Sequence, residues 1–279
     1  MPRSLHFPRW ETTRVGHAKR REEMPYFNGG VDEILHTVTK RFEGNTDTMS
    51  LTQVPLTIIV AATTKNGIGK NGALPWPMLK KEMAYFARVT KRVPMPTDTG
   101  SVQSDATKQS MLEGTRRNVV IMGRKTWDSI PPKFRPLKDR TNIVITSQAR
   151  SELGDIPEDV VVASSVLDGL QSLEALVKES KALPVGRAFV IGGTSIYKAA
   201  LDLPNLQHIL LTRIRQDYEC DTFLPVELDD DKDSSSEWQK KSHQRLEAFV
   251  GESIQAEPMR ESDGNQEVEY EFCLYEEKP

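Results

Sequence analysis

The sequence contains little cysteine, no long hydrophobic run and little net charge. Its two cysteines, Cys220 and Cys273, form no Cys-x-x-Cys pair, which disfavours both a disulfide framework and a zinc site. No apolar run approaches the roughly 20 residues that cross a bilayer, so we expect no membrane span. A formal net charge of −3 at pH 7 gives no overall basic field for a nucleic-acid partner. The five histidines show no metal-ligand spacing, and we expect no bound metal.

The first fifty or so residues differ in character from the rest of the chain. They carry many arginines and lysines with little apolar periodicity, and the acidic residues Glu11, Glu22 and Asp32 argue against a mitochondrial presequence. There is no secretory hydrophobic stretch either, so we expect a cytoplasmic protein. We divide the chain into an N-terminal extension over residues 1–53, expected to be disordered or loosely packed, and one folded domain over residues 54–279.

Strand and helix patterns alternate through the folded domain. Short β-branched runs predict strands over residues 56–62, 118–122, 142–146, 160–163, 188–191 and 209–214. Helical patterns lie between several of these runs, over residues 77–91, 167–180 and 194–203. The alternation predicts a mostly parallel α/β sheet with helices on both faces, and the alternating residues 268–275 predict an antiparallel C-terminal strand. Two polar stretches without periodicity, at about 94–114 and 227–240, predict surface insertions.

A glycine-rich loop follows the first predicted strand. Gly67, Gly69 and Gly72 give it three glycines in six residues, so its main chain can take positive φ and approach a ligand. The loop ends in Leu-Pro-Trp-Pro over residues 74–77, where two prolines and an aromatic side chain stiffen the exit. A flexible connection is the alternative, but a mobile loop on a fixed hinge is more typical of an active-site lid.

Glu82 is the candidate acid–base group of the next helix. Pro77 could be the first helical residue, and an apolar stripe follows at Leu79, Met83 and Phe86. Glu82 borders this stripe, and a carboxyl against apolar surface has a raised pKa and can exchange a proton near neutrality. The alternative is a solvated surface glutamate.

Two further strand ends are followed by sequences that suit phosphate groups. Residues 123–126, Gly-Arg-Lys-Thr, place two basic side chains at a helix start, where backbone N–H groups favour an anion. The pair Gly192-Gly193 lets the main chain pass close to a ligand before the next helix, whose N-terminus favours a pyrophosphate. Neither sequence has the glycine spacing of a Walker loop or of a standard dinucleotide-binding domain.

These motifs resemble those of the eukaryotic dihydrofolate reductases, and fungal members most of all. The matching motifs include Gly-Ile-Gly-Lys-Asn-Gly-x-Leu-Pro-Trp-Pro, Val-Ile-Met-Gly-Arg-Lys-Thr-Trp-x-Ser-Ile-Pro, Arg-Pro-Leu-Lys-x-Arg, Ile-Gly-Gly-x-Ser-Ile-Tyr and Asp-Thr-Phe-Leu-Pro, in that order between residues 67 and 225. The resemblance implies this family's three-layer fold and the NADPH-dependent reduction of 7,8-dihydrofolate to tetrahydrofolate. A reductase of riboflavin biosynthesis and a catalytically silent nucleotide-binding protein are the alternatives. The Leu-Pro-Trp sequence followed by a helical glutamate favours the folate enzyme.

The resemblance implies a substrate site residue by residue. Glu82 would hold the 2-amino and N3 edge of the pteridine, and Thr212 would assist through a water. Leu74 and Trp76 would complete the catalytic group. Arg140 would pair with the α-carboxylate of the substrate because its planar fork can bind a carboxylate at two places; a surface charge before a strand is the alternative. The other substrate-binding residues would be Ile59, Val60, Ala61, Met83, Phe86, Ser129, Ile130, Leu137, Ile191 and Tyr197.

The resemblance also implies an NADPH site. Arg124 and Ser147 would face the 2′-phosphate, and Ser165 stands where vertebrate enzymes have a further arginine. Met83 replaces a vertebrate phenylalanine, and a cis peptide bond is implied between Gly192 and Gly193. The whole implied cofactor set is Ala61, Ile68, Gly69, Lys70, Gly72, Gly123, Arg124, Lys125, Thr126, Thr146, Ser147, Ser165, Gly192, Gly193, Thr194, Ser195, Ile196 and Tyr197.

The reaction implied is a hydride transfer from nicotinamide C4 to pteridine C6, with a water protonating N5. The pocket would supply orientation and exclude water, while the cofactor carries the hydride chemistry. We expect dihydrofolate and antifolate inhibitors as ligands, a monomer, and no obligate protein partner.

Overall fold

The core of the fold is one large sheet whose strand order brings distant segments of the chain together. The computed structural model describes residues 50–93, 115–154, 156–228, 236–262 and 266–278, all within the compact unit of residues 48–279. The expected N-terminal extension up to residue 49, the expected insertion at 94–114 and residues 229–235 of the second insertion lie outside the described residues. The described end of the second insertion is not a surface loop, because Trp238–Lys240 pairs with the last strand and Trp238 is buried in the main hydrophobic cluster.

Eleven strands are described. They are β1 (Leu56–Thr63), β2 (Gly67–Gly69), β3 (Arg117–Gly123), β4 (Arg140–Ile145), β5 (Val161–Ala163), β6 (Val185–Gly192), β7 (Leu206–Ile214), β8 (Thr222–Phe223), β9 (Trp238–Lys240), β10 (Met259–Ser262) and β11 (Glu267–Glu277). The described helices are α1 (Lys80–Lys91), α2 (Arg124–Ser129), α3 (Val166–Lys178), α4 (Thr194–Leu201) and α5 (His243–Val250). None of these helices is long and apolar enough to cross a membrane.

The sheet has the order β10-β11-β7-β1-β6-β3-β4-β5, with β9 paired to β11. Strands β7, β1, β6, β3, β4 and β5 are parallel, whereas β9, β10 and β7 are antiparallel to β11. The predicted mostly parallel sheet with an antiparallel C-terminal strand is therefore confirmed. The short strands β2 and β8 form a separate two-stranded ribbon, which the sequence prediction missed.

Burial explains why the central strands read as continuous apolar runs. Seven of the eight residues of β1 are buried, and in β3 only Arg117 is exposed, because helices and loops cover both faces of these strands. In β11 the buried residues Val268 and Tyr270 alternate with partly exposed ones, as predicted, but the alternation ends there. Cys273, Leu274 and Tyr275 are buried in succession, so the prediction of one wet face is wrong for the second half of the strand.

The first helix differs from the sequence prediction at its start and in its buried face. It begins at Lys80 instead of Pro77, because Leu79 is extended (φ −93°, ψ 101°) and buries its side chain beside Trp76 and Tyr270. The residues buried on α1 are Glu82, Tyr85, Val89 and Thr90, whereas Met83 is 46% exposed. The predicted apolar stripe through Met83 and Phe86 is therefore wrong, because the buried face of α1 passes through Glu82 and Tyr85, one position earlier in each case.

The described part of the chain begins before the predicted domain boundary. Residues Leu51–Gln53 form a 3-10 helix, and Leu51 packs against the main hydrophobic cluster. Glu174 of α3 accepts hydrogen bonds from the Ser50 hydroxyl (2.7 Å) and the Leu51 amide (2.9 Å). These contacts attach residues 50–53 to the folded unit.

Candidate active site

Several of the predicted site residues lie at one edge of the sheet, whereas Arg140, the first residue of β4, lies at the opposite end of its strand. Strands β1, β3, β6 and β7 are parallel, so their carboxyl ends share that edge. Gly123 ends β3, Gly192 ends β6, and Ala61 of β1 lies opposite Thr212 of β7. Residues from both the substrate group and the cofactor group are thus found where open α/β sheets bind ligands.

Glu82 is a buried carboxyl that bonds directly to Thr212. The residue is 9% exposed, and Thr212 Oγ1 donates to Glu82 Oε1 over 3.1 Å. Burial raises the pKa of Glu82 to about 7, with the Thr212 hydrogen bond acting to lower it and the charge of Glu261 acting to raise it. A carboxyl with this pKa can exchange a proton at neutral pH. The expected water-mediated assistance of Thr212 to the pteridine stays a prediction.

Packing of α1 against the sheet sets the position of Glu82. Tyr85, three residues further along the helix, stacks on Phe272 of β11 with ring centroids 3.8 Å apart. Val89 is buried one turn beyond Tyr85, so the helix face that carries Glu82 is the face held against the sheet. The surface alternative for Glu82 is therefore wrong.

Several of the predicted apolar pocket residues lie together. Phe86, Ile130, Leu137 and Ile191 are half-buried, and all pack against the hydrophobic cluster that contains Ile59. They connect α1, the end of α2, the segment before β4, and β6. Together they form an apolar wall, in which Phe86 lies one turn of α1 beyond Glu82.

The remaining predicted pocket residues differ in exposure. Leu74 is 52% exposed, and Ser129 is also exposed, its hydroxyl donating to Thr126 O over 2.7 Å. Trp76 and Val60 are buried, and Trp76 makes an edge contact with Tyr218 at 6.0 Å between ring centroids. The structure therefore places Trp76 in a packed cluster and leaves Leu74 open.

Arg140 is the first residue of β4 and is buried. Its Nη1 donates to Thr90 Oγ1 over 2.8 Å, its Nε donates to Lys138 O over 3.1 Å, and its guanidinium lies 6.0 Å from the Phe86 ring centroid. Burial lowers the pKa of Arg140 to about 10, opposed by the charge of Asp139, so the group stays charged at neutral pH. The alternative of an exposed surface charge is wrong.

Two buried polar residues that support Arg140 were missed in the sequence. Thr90 donates to Phe86 O over 2.7 Å and receives the bond from Arg140, so α1 holds the guanidinium. Asn142 exchanges hydrogen bonds with the backbone of Leu137 over 2.9 and 3.0 Å, which fixes the turn before β4. An asparagine inside an apolar strand pattern was the available signal for this role.

Two helices start beside each other at the glycine-containing strand ends. Gly123 is the N-cap of α2 and Gly193 is the N-cap of α4, and their strands β3 and β6 are neighbours. The peptide bond between Gly192 and Gly193 is cis, as the resemblance implied. The first-turn amides of a helix have no partner inside that helix, so two adjacent helix starts suit the two phosphates of a dinucleotide.

Side chains of the chain itself pack closely against the glycines at these two strand ends. A Cβ added at Gly123 would lie 3.0 Å from Ile196 Cγ1. A Cβ at Gly192, which has φ of 125°, would lie 3.3 Å from Tyr197 Oη and 3.4 Å from Thr126 Oγ1. Tyr197 Oη in turn donates to Ile59 O over 3.3 Å, which links this turn to β1. Together with the basic Arg124 and Lys125, these residues fit the phosphates of NADPH.

The polar residues assigned to the 2′-phosphate region have defined partners. Arg124 Nε donates to Asp128 over 2.8 Å, and its Nη1 also bonds Gln148. Ser165 is the N-cap of α3, where its hydroxyl accepts from the Asp168 amide over 3.1 Å. Capping therefore explains why a serine suits position 165.

Other members of the cofactor set lie nearby on the same loops. Thr146 follows β4, and its amide donates to Ala163 O over 2.9 Å. Thr194 Oγ1 donates to Phe223 O over 3.0 Å, which joins α4 to β8. Ser147 and Ser195 are exposed.

The glycine-rich loop forms a ribbon with the segment around Cys220. Gly67 pairs with Phe223 and Gly69 with Thr222, so Ile68 lies in a two-stranded ribbon. A Cβ at Gly67 would collide with the Cys220 side chain, which explains glycine at this position.

The tip of the same loop is a tight turn. Asn71 (φ 51°) and Gly72 (φ 77°) are flanked by Lys70 and Ala73, which exchange backbone hydrogen bonds of 2.9 and 3.0 Å. Two consecutive positive φ values in an Asn-Gly pair are typical of a type I′ hairpin turn. Lys70 Nζ lies 2.6 Å from Glu219, so this predicted cofactor residue is engaged in a surface ion pair.

Arg213 anchors the start of the glycine-rich loop and was missed in the sequence. It is 8% exposed, and its Nη1 donates to Thr63 O over 2.8 Å and to Asn66 Oδ1 over 3.0 Å. Asn66 has φ of 60° and also donates to Val226 O over 2.9 Å. An arginine next to Thr212 in an otherwise apolar strand was the signal.

Comparison with known proteins agrees with this geometry. The family model described as dihydrofolate reductase matches residues 106–257. The dihydrofolate reductase of Pneumocystis carinii is 42% identical over 223 residues, covering 80% of this chain and 97% of that protein. The one of Schizosaccharomyces pombe is 39% identical over 227 residues, covering 79% of this chain and 46% of that protein.

A solved structure shows the same relationship in three dimensions. The Schistosoma mansoni dihydrofolate reductase superposes with a TM-score of 0.57 at 31% sequence identity, covering 81% of this chain and 100% of that chain. The sheet order, the buried helical glutamate and these similarities agree with one another, and the chain belongs to the dihydrofolate reductase family.

Proposed function

We propose that this chain reduces 7,8-dihydrofolate to 5,6,7,8-tetrahydrofolate with NADPH, with Glu82 as the acidic group of the site. The product serves one-carbon metabolism and thymidylate synthesis. The observation that carries the assignment is the buried Glu82 carboxyl, which is hydrogen-bonded to Thr212 beside an apolar wall. A group in this setting can hold the polar edge of a flat heterocycle while the rest of the ring contacts apolar side chains.

Glu82 orients the pteridine and governs the pH dependence. When bound, NADPH supplies the hydride that reduces C6 of the pteridine. Glu82 and Thr212 hold the 2-amino and N3 edge, and a water delivers the proton to N5. The protonated Glu82 carboxyl replaces the proton that this water gives to N5, so the rate falls as pH rises past about 7.

Arg140 binds the carboxylate end of the substrate. Its guanidinium is buried, charged and held by Thr90 Oγ1, so little side-chain freedom is lost when a carboxylate arrives. A substrate α-carboxylate also gives this buried charge an oppositely charged partner. The apolar residues Phe86 and Leu137 support the segment of substrate between Arg140 and Glu82.

The remaining assignments concern the cofactor and the surroundings of the enzyme. Gly123 to Thr126 and Gly192 to Ile196 hold the cofactor phosphates, and Arg124 carries the preference for the 2′-phosphate because Ser165 has no charge. Asp128 and Gln148 fix the Arg124 side chain for this purpose. Antifolates that resemble the substrate occupy the Glu82 pocket. We also propose that the chain acts in the cytoplasm, as a monomer without an obligate protein partner.

The test measures loss of NADPH absorbance by the purified chain with and without dihydrofolate, then with methotrexate added. Oxidation that depends on dihydrofolate and is abolished by the inhibitor is the expected result. Glu82→Gln, which keeps the size of the side chain and removes its proton, should lose most of the turnover. A folded Glu82→Gln variant with wild-type turnover at pH 7 would contradict the role assigned to Glu82. A folded wild-type chain that binds NADPH and leaves dihydrofolate unreduced would contradict the reaction itself.

A further inference from the structure

The first turn of α1 lacks a capping residue of its own. The helix begins at Lys80, and its N-cap residue, Leu79, has an apolar side chain. The first amides of a helix have no partner inside it, and Ser, Thr, Asp or Asn at the N-cap usually supplies one. Since Glu82 is the third residue of α1, the capping of this turn directly affects the position of the carboxyl proposed to bind substrate.

Glu261 of β10 supplies the missing acceptor. The Lys81 amide donates to Oε1 and Oε2 of Glu261 over 3.1 and 3.0 Å, and the Glu82 amide lies 3.4 Å from Oε1. Glu82 and Glu261 are separated by 179 positions in the chain. A carboxylate from a distant strand therefore does what a local N-cap side chain does in most helices.

The Glu261 carboxylate is itself held in place from the sheet. Strand β10 pairs with β11, with Glu261 opposite Val268. Tyr270 of β11, which is fully buried, donates its hydroxyl hydrogen to Glu261 Oε1. The same tyrosine packs in the cluster with Leu79. The sheet thus determines where the negative charge sits relative to α1.

Glu261 also contributes to the electrostatic surroundings of Glu82. The polar groups that interact with the Glu82 carboxyl are Thr212 of β7, Glu261 of β10, Tyr270 of β11, Tyr85 of α1 and Tyr197 of α4. Burial raises the pKa of each of the three tyrosines, so they are neutral at pH 7. The charge of Glu261 favours the protonated form of Glu82, whereas a helix N-terminus by itself favours the ionised form.

We propose that Glu261 is a positioning residue for the reaction, which fixes the first turn of α1 and places a negative charge beside the Glu82 carboxyl. The proposal rests on the role given to Glu82 under the proposed function. Glu261 acts through Glu82 and through the helix amides. Its effect is to keep Glu82 protonated at higher pH than burial alone would.

The test is the titration of the Glu82 carboxyl in the folded chain, measured by NMR with carboxyl-¹³C-labelled glutamate. The Glu82 resonance is the one that disappears in Glu82→Gln. In Glu261→Gln, which keeps an acceptor oxygen for the amides and removes the charge, the midpoint should fall. A fall on the order of half a unit corresponds to about a threefold lower fraction protonated at alkaline pH. Glu261→Asp, which keeps the charge but shortens the reach, should keep a raised midpoint and lose stability.

Glu252→Gln is the matched control. Glu252 pairs with Arg88 of α1 over 2.9 Å and with Arg92 over 3.1 Å, so it holds the other end of the same helix. Its loss weakens the attachment of α1 without removing a charge beside Glu82. The Glu82 midpoint should therefore stay at the wild-type value in Glu252→Gln.

The outcomes separate this inference from the proposed function. A folded Glu261→Gln variant with the wild-type midpoint, or equal shifts in Glu261→Gln and Glu252→Gln, would overturn the proposal. The alkaline limb of the kcat profile should move to lower pH in Glu261→Gln, with the KM for NADPH unchanged. If Glu82→Gln turned out fully active, the role of Glu82 would fail, yet the NMR titration would still decide whether Glu261 controls the carboxyl.

Discussion

Replacing Glu82 by glutamine should make the folded chain more stable at alkaline pH while it removes activity. The raised pKa of Glu82 means that folding opposes its ionisation, because the carboxyl is buried. Below the pKa of the unfolded chain, the group is protonated in both states and costs nothing. As pH rises, Glu82 ionises at a lower pH in the unfolded chain than in the folded one, and this ionisation stabilises the unfolded state relative to the folded state.

The size of the effect follows from the two pKa values. The ordinary value is 4.5 and the folded value is about 7, so stability is lost across this window and the loss is complete above about pH 7. A difference of about 2.5 units at about 1.36 kcal/mol per unit gives a loss of about 3 kcal/mol. A neutral glutamine of similar size avoids this loss. The stability of Glu82→Gln relative to wild type should therefore rise by about 3 kcal/mol between pH 4.5 and pH 8.5.

Urea unfolding of both proteins at several pH values between 4.5 and 8.5 measures this difference. Comparing two proteins at each pH cancels the contributions of other titrating groups that the substitution leaves unchanged, such as His208. A difference in unfolding free energy that stays constant across the range would refute the reasoning. It would mean that Glu82 ionises as easily in the folded chain as in the unfolded one.

Three further predictions concern neighbouring residues. Thr212→Val removes a hydrogen bond that stabilises the ionised form of Glu82, so the pKa of Glu82 should rise by about one unit. The alkaline limb of the kcat profile should then move to higher pH, and an unshifted limb would contradict the contact. Arg140→Ala should weaken the binding of inhibitors that carry a glutamate tail on the order of a hundredfold, as measured by calorimetry. Inhibitors that lack the tail should lose little affinity, and equal losses for both kinds would contradict the role of Arg140 in binding the carboxylate. Ser165→Ala should lower the unfolding free energy by about 1 kcal/mol by removing the α3 cap, as measured by urea unfolding, and an unchanged unfolding free energy would contradict the capping role.

The sheet could be predicted well from the sequence because its strands are buried on both faces. The length and β-branched content of a run such as residues 118–122 indicate a strand, and these residues lie within β3 in the structure. α5 was missed although its signals are present: Ser242 caps it by accepting from the Arg245 amide, and Gly251 ends it with φ of 71°. Local caps identify such a helix even when its apolar pattern is short.

The site could be predicted only where one short segment carries the chemistry. Glu82 and the glycine turns belong to such segments. The start of α1 could not be predicted, because its capping acceptor, Glu261, comes from a strand far away in sequence. The support of Arg140 by Thr90 has the same character, since it joins residues 50 positions apart. Long-range hydrogen bonds leave no periodicity for a sequence pattern to reveal.

The Asn71-Gly72 turn has a consequence for the entropy of ligand binding. A loose glycine loop would lose on the order of 1–2 kcal/mol per residue when a ligand ordered it. Here the Lys70–Ala73 pair and the strand pairing of Gly67 with Phe223 restrict that backbone through contacts within the chain. A molecule that contacts the ribbon does not have to order this backbone, so more of the contact free energy is left for affinity.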